Sequence, residues 1–346
     1  MRKHAMLWTM VLPLLLTAVA STDRPTAKVR AGRKPLLTLR GHTEAVTCVR
    51  YTADGKLLGT ASRDKTAVIW DAHSGVKRFT LEGHTSWLRD LSFGPGRLAT
   101  AGNDRTVRIW DIATGRALAT LPGHSGGVFG LAFGPRGDYL TSGGRLDGDA
   151  VGELVIRDSH RGKEVRVLRP LEAGVSSLAY SRGGKRLATG LWSGKVVVWE
   201  TATMSPALTL GEGTSPGPVW SVAFSGDGKR LAAAGWEGSV QVWSLPLGRE
   251  CKTLKGHGGR IIRVSFSPDN QVLASAEVVT RRTGRGVCEG EIIFWATGTS
   301  EEKFTLALPE GEEAYDFCFS PDGSRLATAH DDGTVKVWSV KQLLGQ

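Results

Sequence analysis

The stretch Ala61–Gly75 reads ASRDKTAVIWDAHSG, and forty residues later Ala101–Gly115 reads AGNDRTVRIWDIATG. Aligning the chain on the tryptophan of this phrase gives Trp70, Trp110, Trp199, Trp243, Trp295 and Trp338. The long gap between Trp110 and Trp199 has room for one more copy, and GELVIRDS supplies it with Arg157 in the tryptophan place. The spacings are then 40, 47, 42, 44, 52 and 43 residues. A second phrase keeps the same beat, from VRYTADGKLLGTAS at Val49 to FCFSPDGSRLATAH at Phe317. Each copy alternates apolar and polar residues, turns at Gly, Pro or Asp, and alternates again, which predicts a β-hairpin. TVRIW then predicts a third strand, and RALATL or RECKTL a fourth. Units of about 43 residues cannot bury their faces alone, but stacked around an axis they can.

These phrases resemble the WD40-repeat family of β-propellers, of an exported bacterial type. The resemblance rests on Gly41-His42, Gly83-His84, Gly123-His124 and Gly256-His257, with Trp70-Asp71 and Trp110-Asp111. It covers about Pro35 to Val340 and implies an all-β, seven-bladed β-propeller. In that family the repeat is offset from the blade. PLLTL, Pro35–Leu39, is therefore expected as the outer strand beside Thr334–Trp338, closing the ring without a free edge.

The resemblance further implies a hydrogen-bonded tetrad in each intact repeat. In the first repeat it is expected to be His42, Ser62, Asp64 and Trp70. These residue types match a Ser-His-Asp triad, but a nucleophile must face substrate and an oxyanion hole. Here an indole ends the chain of donors, so the expected role is structural. The second repeat has Gly102 at the hydroxyl place, the fourth has Ser193 in place of the acid, and the fifth and sixth have Glu237 and Glu289. The seventh keeps Asp332 and Trp338 without the Gly-His.

Residues 36–340 are thus read as the propeller and 341–346 as a tail. Before it, Arg2 and Lys3 precede an uncharged run, Ala5–Ala20, ending in AVAS. That order of charge, apolar run and small residues predicts a cleaved export signal over residues 1–20. As a helix the run would reach about 24 Å, short of the roughly 30 Å hydrocarbon core. Residues 21–35 carry five basic residues and one acid with little to pack, a flexible basic linker. The expected location is periplasmic, cell-envelope or secreted. The net charge of +10 is spread along the chain. It is compatible with peripheral attraction to an anionic envelope, but no basic run interleaved with aromatics marks a specific nucleic-acid site.

Two insertions fall in the turn between the second and third strands: Gly143–Glu153, and Glu277–Glu291 with Arg281, Arg282 and Arg285. Asp147, Asp149 and Glu153 of the first lack the remaining ligands of a calcium loop. Trp192 and Trp236 sit in the same turn of successive repeats, where rotation about the axis is expected to set them side by side, and Trp87 precedes an inner strand. Trp and Arg dominate binding energy at interfaces. Trp87, Trp192, Trp236 and the three arginines are therefore the expected partner-binding residues on a monomeric scaffold for a protein or peptide, with no catalytic residue, metal or cofactor. The alternatives are polyanion binding, and an enzyme using Asp90, Arg263 and Asp316 in the central channel. Cys48, Cys251, Cys288 and Cys318 share no metal-type spacing, and Cys48 and Cys318 are close to disulfide placement but out of register by two residues.

Overall fold

The computed structural model describes residues 34–146, 151–211, 217–245, 247–248, 251–278, 290–309 and 311–345. They form seven four-stranded antiparallel sheets, the blades of a β-propeller. The inner strands of blades 1 to 7 are Val46–Tyr51, Leu88–Gly94, Val128–Phe133, Val175–Tyr180, Val219–Phe224, Arg260–Phe266 and Ala314–Phe319. A short helix, Val340–Leu344, follows the last strand, capped by Ser339, which accepts from Gln342 N. Among the described residues no helix is long and apolar enough to cross a membrane. The expected signal and nearly all of the basic linker lie outside the described residues.

The hydrophobic core is divided into seven clusters, one at each blade-to-blade interface. Val49, Leu58 and Val68 of blade 1 meet Ala327, Val335 and Val337 of blade 7. Ala61 and Ile69 on the other face of blade 1 meet Leu91 and Leu98 of blade 2. A second strand that packs on both faces reads as small and apolar residues with its few hydroxyls hydrogen-bonded; LLGTAS, Leu57–Ser62, is buried at every position. The ring closes as expected. Strand Leu37–Arg40 pairs antiparallel with Thr334–Ser339, Leu37 opposite Val337 and Leu39 opposite Val335.

Every inner strand carries a bulge at the same place, as between Val46 and Cys48 or Leu88 and Asp90. The bulge re-aims the next side chain toward the following blade. Four of these side chains accept a backbone N–H from that blade's inner strand. Asp90 Oδ2 takes Leu131 N at 2.9 Å, Ser177 takes Val222 N at 3.2 Å, Ser221 takes Val264 N at 3.1 Å and Asp316 takes Val49 N at 2.9 Å. Gly130 has no side chain to offer at its turn.

Removing residues 35–39 strips blade 7 of its outer strand and leaves an open edge. The expected outcome is a melting temperature lower by several degrees and a tendency to associate; an unchanged value by calorimetry would contradict this closure.

Candidate functional site

The tetrads come first, because they fix the loops that build the upper face. In blade 1 the Trp70 indole N–H donates to Thr60 Oγ1 at 2.9 Å, and Thr60 Oγ1 lies 2.8 Å from His42 Nε2. His42 Nδ1 is 2.8 Å from Asp64 Oδ2, which also accepts Thr43 N at 3.1 Å. The hydroxyl is thus Thr60, not Ser62. Ser62 instead donates to Glu44 O at 3.0 Å and accepts Asp64 N at 3.1 Å, shaping the turn. Both residues are buried in the same strand two positions apart, but only Thr60 lies within reach of the indole across the sheet.

Blade 2 has a complete tetrad of His84, Thr100, Asp104 and Trp110, with distances of 2.6 to 2.9 Å. Gly102, expected at the hydroxyl place, lies instead where a Cβ would come within 2.3 Å of the Trp87 carbonyl oxygen. In blade 3, Arg157 replaces the indole and donates to Ser142 at 3.2 Å, while His124 Nδ1 faces Glu153 at 2.8 Å. In blade 6 the acid is Glu277, 3.0 Å from His257 Nδ1; Glu289 lies outside the described residues. In blade 7 the imidazole comes from the second strand itself: His330 Nε2 is 2.7 Å from Thr328 Oγ1, which accepts Trp338 N–H at 2.9 Å. The residues of each set, four in blades 1, 2, 3 and 6 and three in blade 7, are tied to one another with their side chains largely out of solvent, a structural role and not that of a catalytic triad.

On the upper face, guanidinium groups and aromatic rings alternate. Arg63 stands 5.0 Å from both the Trp87 and Tyr315 ring centroids. Arg89 stands 5.8 Å from Trp87 and 5.5 Å from Phe129. Phe129 meets Trp192 at 5.7 Å, and Arg145 covers Trp192 at 4.7 Å. This arc runs from blade 7 through blades 1, 2 and 3 to blade 4. A second cluster joins Trp220 and Trp236 at 6.1 Å, with Arg260 over Trp236 at 3.2 Å. Trp192 and Trp236 are therefore not a side-by-side pair; each takes its ring partners from inner strands, Phe129 and Trp220, that the sequence pattern did not single out. Trp87, Trp192 and Trp236 remain 40%, 37% and 44% exposed. Arg63 Nε is buried with no hydrogen-bond partner among the described residues, so the rings are its counterpart. Arg281, Arg282 and Arg285 lie outside the described residues, as do Asp147 and Asp149.

In the channel, Asp90 and Asp316 are joined by Arg50, which is 3.2 Å from Asp90 and in close contact with Asp316. Arg263 Nε is 3.1 Å from Asp316. Cys48 and Cys318 are free thiols, both buried. Burial raises the Cys48 thiol well above its usual range and pushes Cys318 up to about 12, so neither is an activated nucleophile. Burial also raises the Asp90 carboxyl, against the opposing pull of Arg50. His257 Nδ1, Glu277 and Glu291 bring three possible cation ligands within 4.8 Å, but His257 and Glu277 are already committed to the blade 6 tetrad.

With that geometry in place, the sequence matches the WD40 family, described as WD domain, G-beta repeat. The matches fall at residues 33–71, 75–111, 115–150, 162–200, 205–244, 248–279 and 305–339. The fold and repeats define a seven-bladed propeller of WD repeats, and the chain belongs to that family. It is 43% identical over 70 residues to nuclear distribution protein PAC1 of Arthroderma benhamiae, 18% of this chain and 15% of that protein. It is 43% identical over 58 residues to nuclear distribution protein nudF 1 of Talaromyces marneffei, 17% of this chain and 13% of that protein. The similarity thus spans about 15% of the length of these curated relatives.

Replacing Thr60 with Val strands both an indole N–H and an imidazole, and should cost about 1–3 kcal/mol. Thr189, which accepts only Trp199 N–H among side chains, should cost less. Denaturant melts of Thr60→Val and Thr189→Val give the comparison directly. Burial, with the Lys336 ammonium nearby, holds the His330 imidazole down at about 3. Between pH 6.5 and 3 the unfolded chain therefore binds a proton that the native state does not, and stability falls as pH falls. The slope at this one site is about 1.4 kcal/mol per pH unit. His330→Gln should show a correspondingly shallower loss between pH 6.5 and 5, measured by urea melts.

Proposed function

We propose that the chain is a non-enzymatic interaction scaffold that binds a protein or peptide on the face bearing Trp87, Trp192 and Trp236. The observation that carries this reading is the alternation of half-exposed indoles with guanidinium groups across five neighbouring blades. Such a surface offers apolar area for an anchor and cationic charge for an acidic surround. The cation–π contacts hold the rings in place before a partner arrives, which lowers the entropy cost of binding. A role in assembly agrees with membership of a repeat family built as a rigid ring, although a fold by itself licenses no function. We further propose export through a cleaved signal over residues 1–20 and peripheral attraction to an anionic envelope.

The enzymatic alternative loses its candidates to ion pairing: Asp90 and Asp316 are held by Arg50 and Arg263 rather than set as a free acid and base. Polyanion binding shares the same arginines and separates from peptide binding by its salt dependence.

Captured by affinity from the envelope fraction, the partner should bind the wild-type chain and be lost with Trp87→Ala. The expected loss is about 2 kcal/mol or more of affinity, with a melting temperature within a few degrees of wild type. A partner held equally by the variant, or an affinity that collapses steeply with salt and ignores the indole, would reject this face as a peptide site.

A further inference from the structure

The seven repeats allow one position to be compared seven times within the same molecule. On the face opposite the tryptophans, the first residue of six of the seven second strands lies at the groove shared with the next blade; in blade 4 it is Arg186, which pairs instead with Glu200 of its own blade. Three of the six are arginines that reach across their grooves. Arg97 donates to Ser159 O at 2.7 Å, Arg230 to Thr297 O at 2.9 Å and Arg325 to Ala72 O at 2.8 Å. Elsewhere apolar groups fill in. Leu57 packs in one cluster with Ile112, and Leu245 fills the seam after blade 4. Val272 packs with Val340 and Leu344 of the C-terminal helix. At the seam between blades 3 and 4 the residue is Tyr139, 48% exposed.

The grooves differ accordingly. The helix-filled groove between blades 6 and 7 retains a cavity of about 100 Å³, and the arginine-spanned one between blades 5 and 6 about 230 Å³. The groove beside Tyr139 measures about 420 Å³, within the range of specific ligand sites. Its walls include Ile156, Tyr180 and Met204, with Val165 57% exposed at the rim. Arg136, Arg166 and Lys185 surround it against a single acid, Asp138. Arg166 donates to Thr203 O at 2.5 Å across the rim, and Arg136 and Lys185 make no ion pair among the described residues.

We propose that this groove is a second docking site, independent of the tryptophan face, for an amphipathic helical turn of a partner bearing two aliphatic side chains and acidic flanks. The fold supplies the precedent for the aliphatic part. Val340 and Leu344, one turn apart on the C-terminal helix, occupy the corresponding groove between blades 6 and 7. The three cations at the rim select for the acidic part.

The test uses the full chain and a fluorescein-labelled helical peptide. The peptide keeps the Val340–Leu344 pattern, carries Glu in place of Lys341 and Gln342, and has Glu flanks; a second version has Lys flanks. Anisotropy should show saturable binding of the Glu peptide with a Kd below about 100 µM, and at least tenfold weaker binding of the Lys peptide. Tyr139→Arg installs the bridging residue of blades 2, 5 and 7, and should weaken binding at least tenfold without lowering the melting temperature. Should that variant fail to fold, Val165→Glu, at an exposed rim position, should weaken binding by charge repulsion. No binding of the Glu peptide at about 1 mM, equal binding of both peptides, or binding untouched in a folded variant would each overturn the proposal.

Discussion

The structure hangs on one buried hydroxyl in each of five blades. Thr60, Thr100, Ser142, Ser275 and Thr328 each stand between a donor on the third strand and an imidazole. A hydroxyl can accept and donate at once, so it joins two groups that could not bond to each other in a dry interior. In blades 1, 2, 3 and 6 the imidazole then passes the connection to a carboxylate, which also takes the backbone N–H that follows the histidine. Loop, second strand and third strand become one unit. Because each loop leads into an inner strand, the network also sets where the side chains of the upper face stand.

What the network demands is polarity at each place, not one residue. Arg157 serves in blade 3 because a guanidinium also donates, and its remaining donors find Pro122 O and Glu164. Glu153 and Glu277 serve for aspartate by reaching from the sheet rather than from the turn. In blade 7 the histidine arrives from two residues along its own strand, and burial keeps it neutral. Blades 4 and 5 lack the Gly-His, and blade 5 lacks the hydroxyl as well, with Ala233 two strand positions from the residue opposite Trp243. Both blades keep their four strands. Sheet pairing and interblade packing therefore carry the fold where the polar network is incomplete.

These substitutions explain where the sequence was legible and where it was not. The spacing of Trp70 and its counterparts, with the hairpin phrases, fixes blade number and the closing strand, because both follow from period-two patterning. The hydroxyl was displaced by two residues because Thr60 and Ser62 share a strand face and a polar character. Only the register against Trp70, which patterning does not contain, separates them. Glu277 was overlooked because the insertion after it moved the apparent acid to Glu289. Asp90, Arg263 and Asp316 were found together because each follows the bulge of its inner strand; Arg50, which ties two of them, sits beyond the bulge and carries no such marker. Trp192 and Trp236 were recognisable as turn residues, but their ring neighbours come from inner strands, that of the preceding blade for Trp192 and that of its own blade for Trp236, a matter of side-chain reach rather than repeat position.

Repetition gives such departures their meaning. A lone glycine or tyrosine says little; the same position occupied differently in six sister blades says much. The seam between blades 3 and 4 departs twice. At the bulge, where Asp90, Ser177, Ser221 and Asp316 pass a hydrogen bond to the next blade, it has Gly130, whose missing Cβ would stand 3.3 Å from Leu178 N. At the foot of the second strand, where Arg97, Arg230 and Arg325 bridge their grooves, it has Tyr139. The seam is not thereby loose, since Thr141 Oγ1 and Tyr180 Oη lie 2.6 Å apart and Leu154, Val175 and Leu187 fill its core. The apolar core and the hydrogen bonds of Thr141 with Tyr180 and of Arg166 with Thr203 O hold the two blades together, while the bulge acceptor and the second-strand arginine are both missing. A seam that keeps its core but gives up the arginine at the foot of its second strand leaves its outer groove open to an occupant at little cost to the ring.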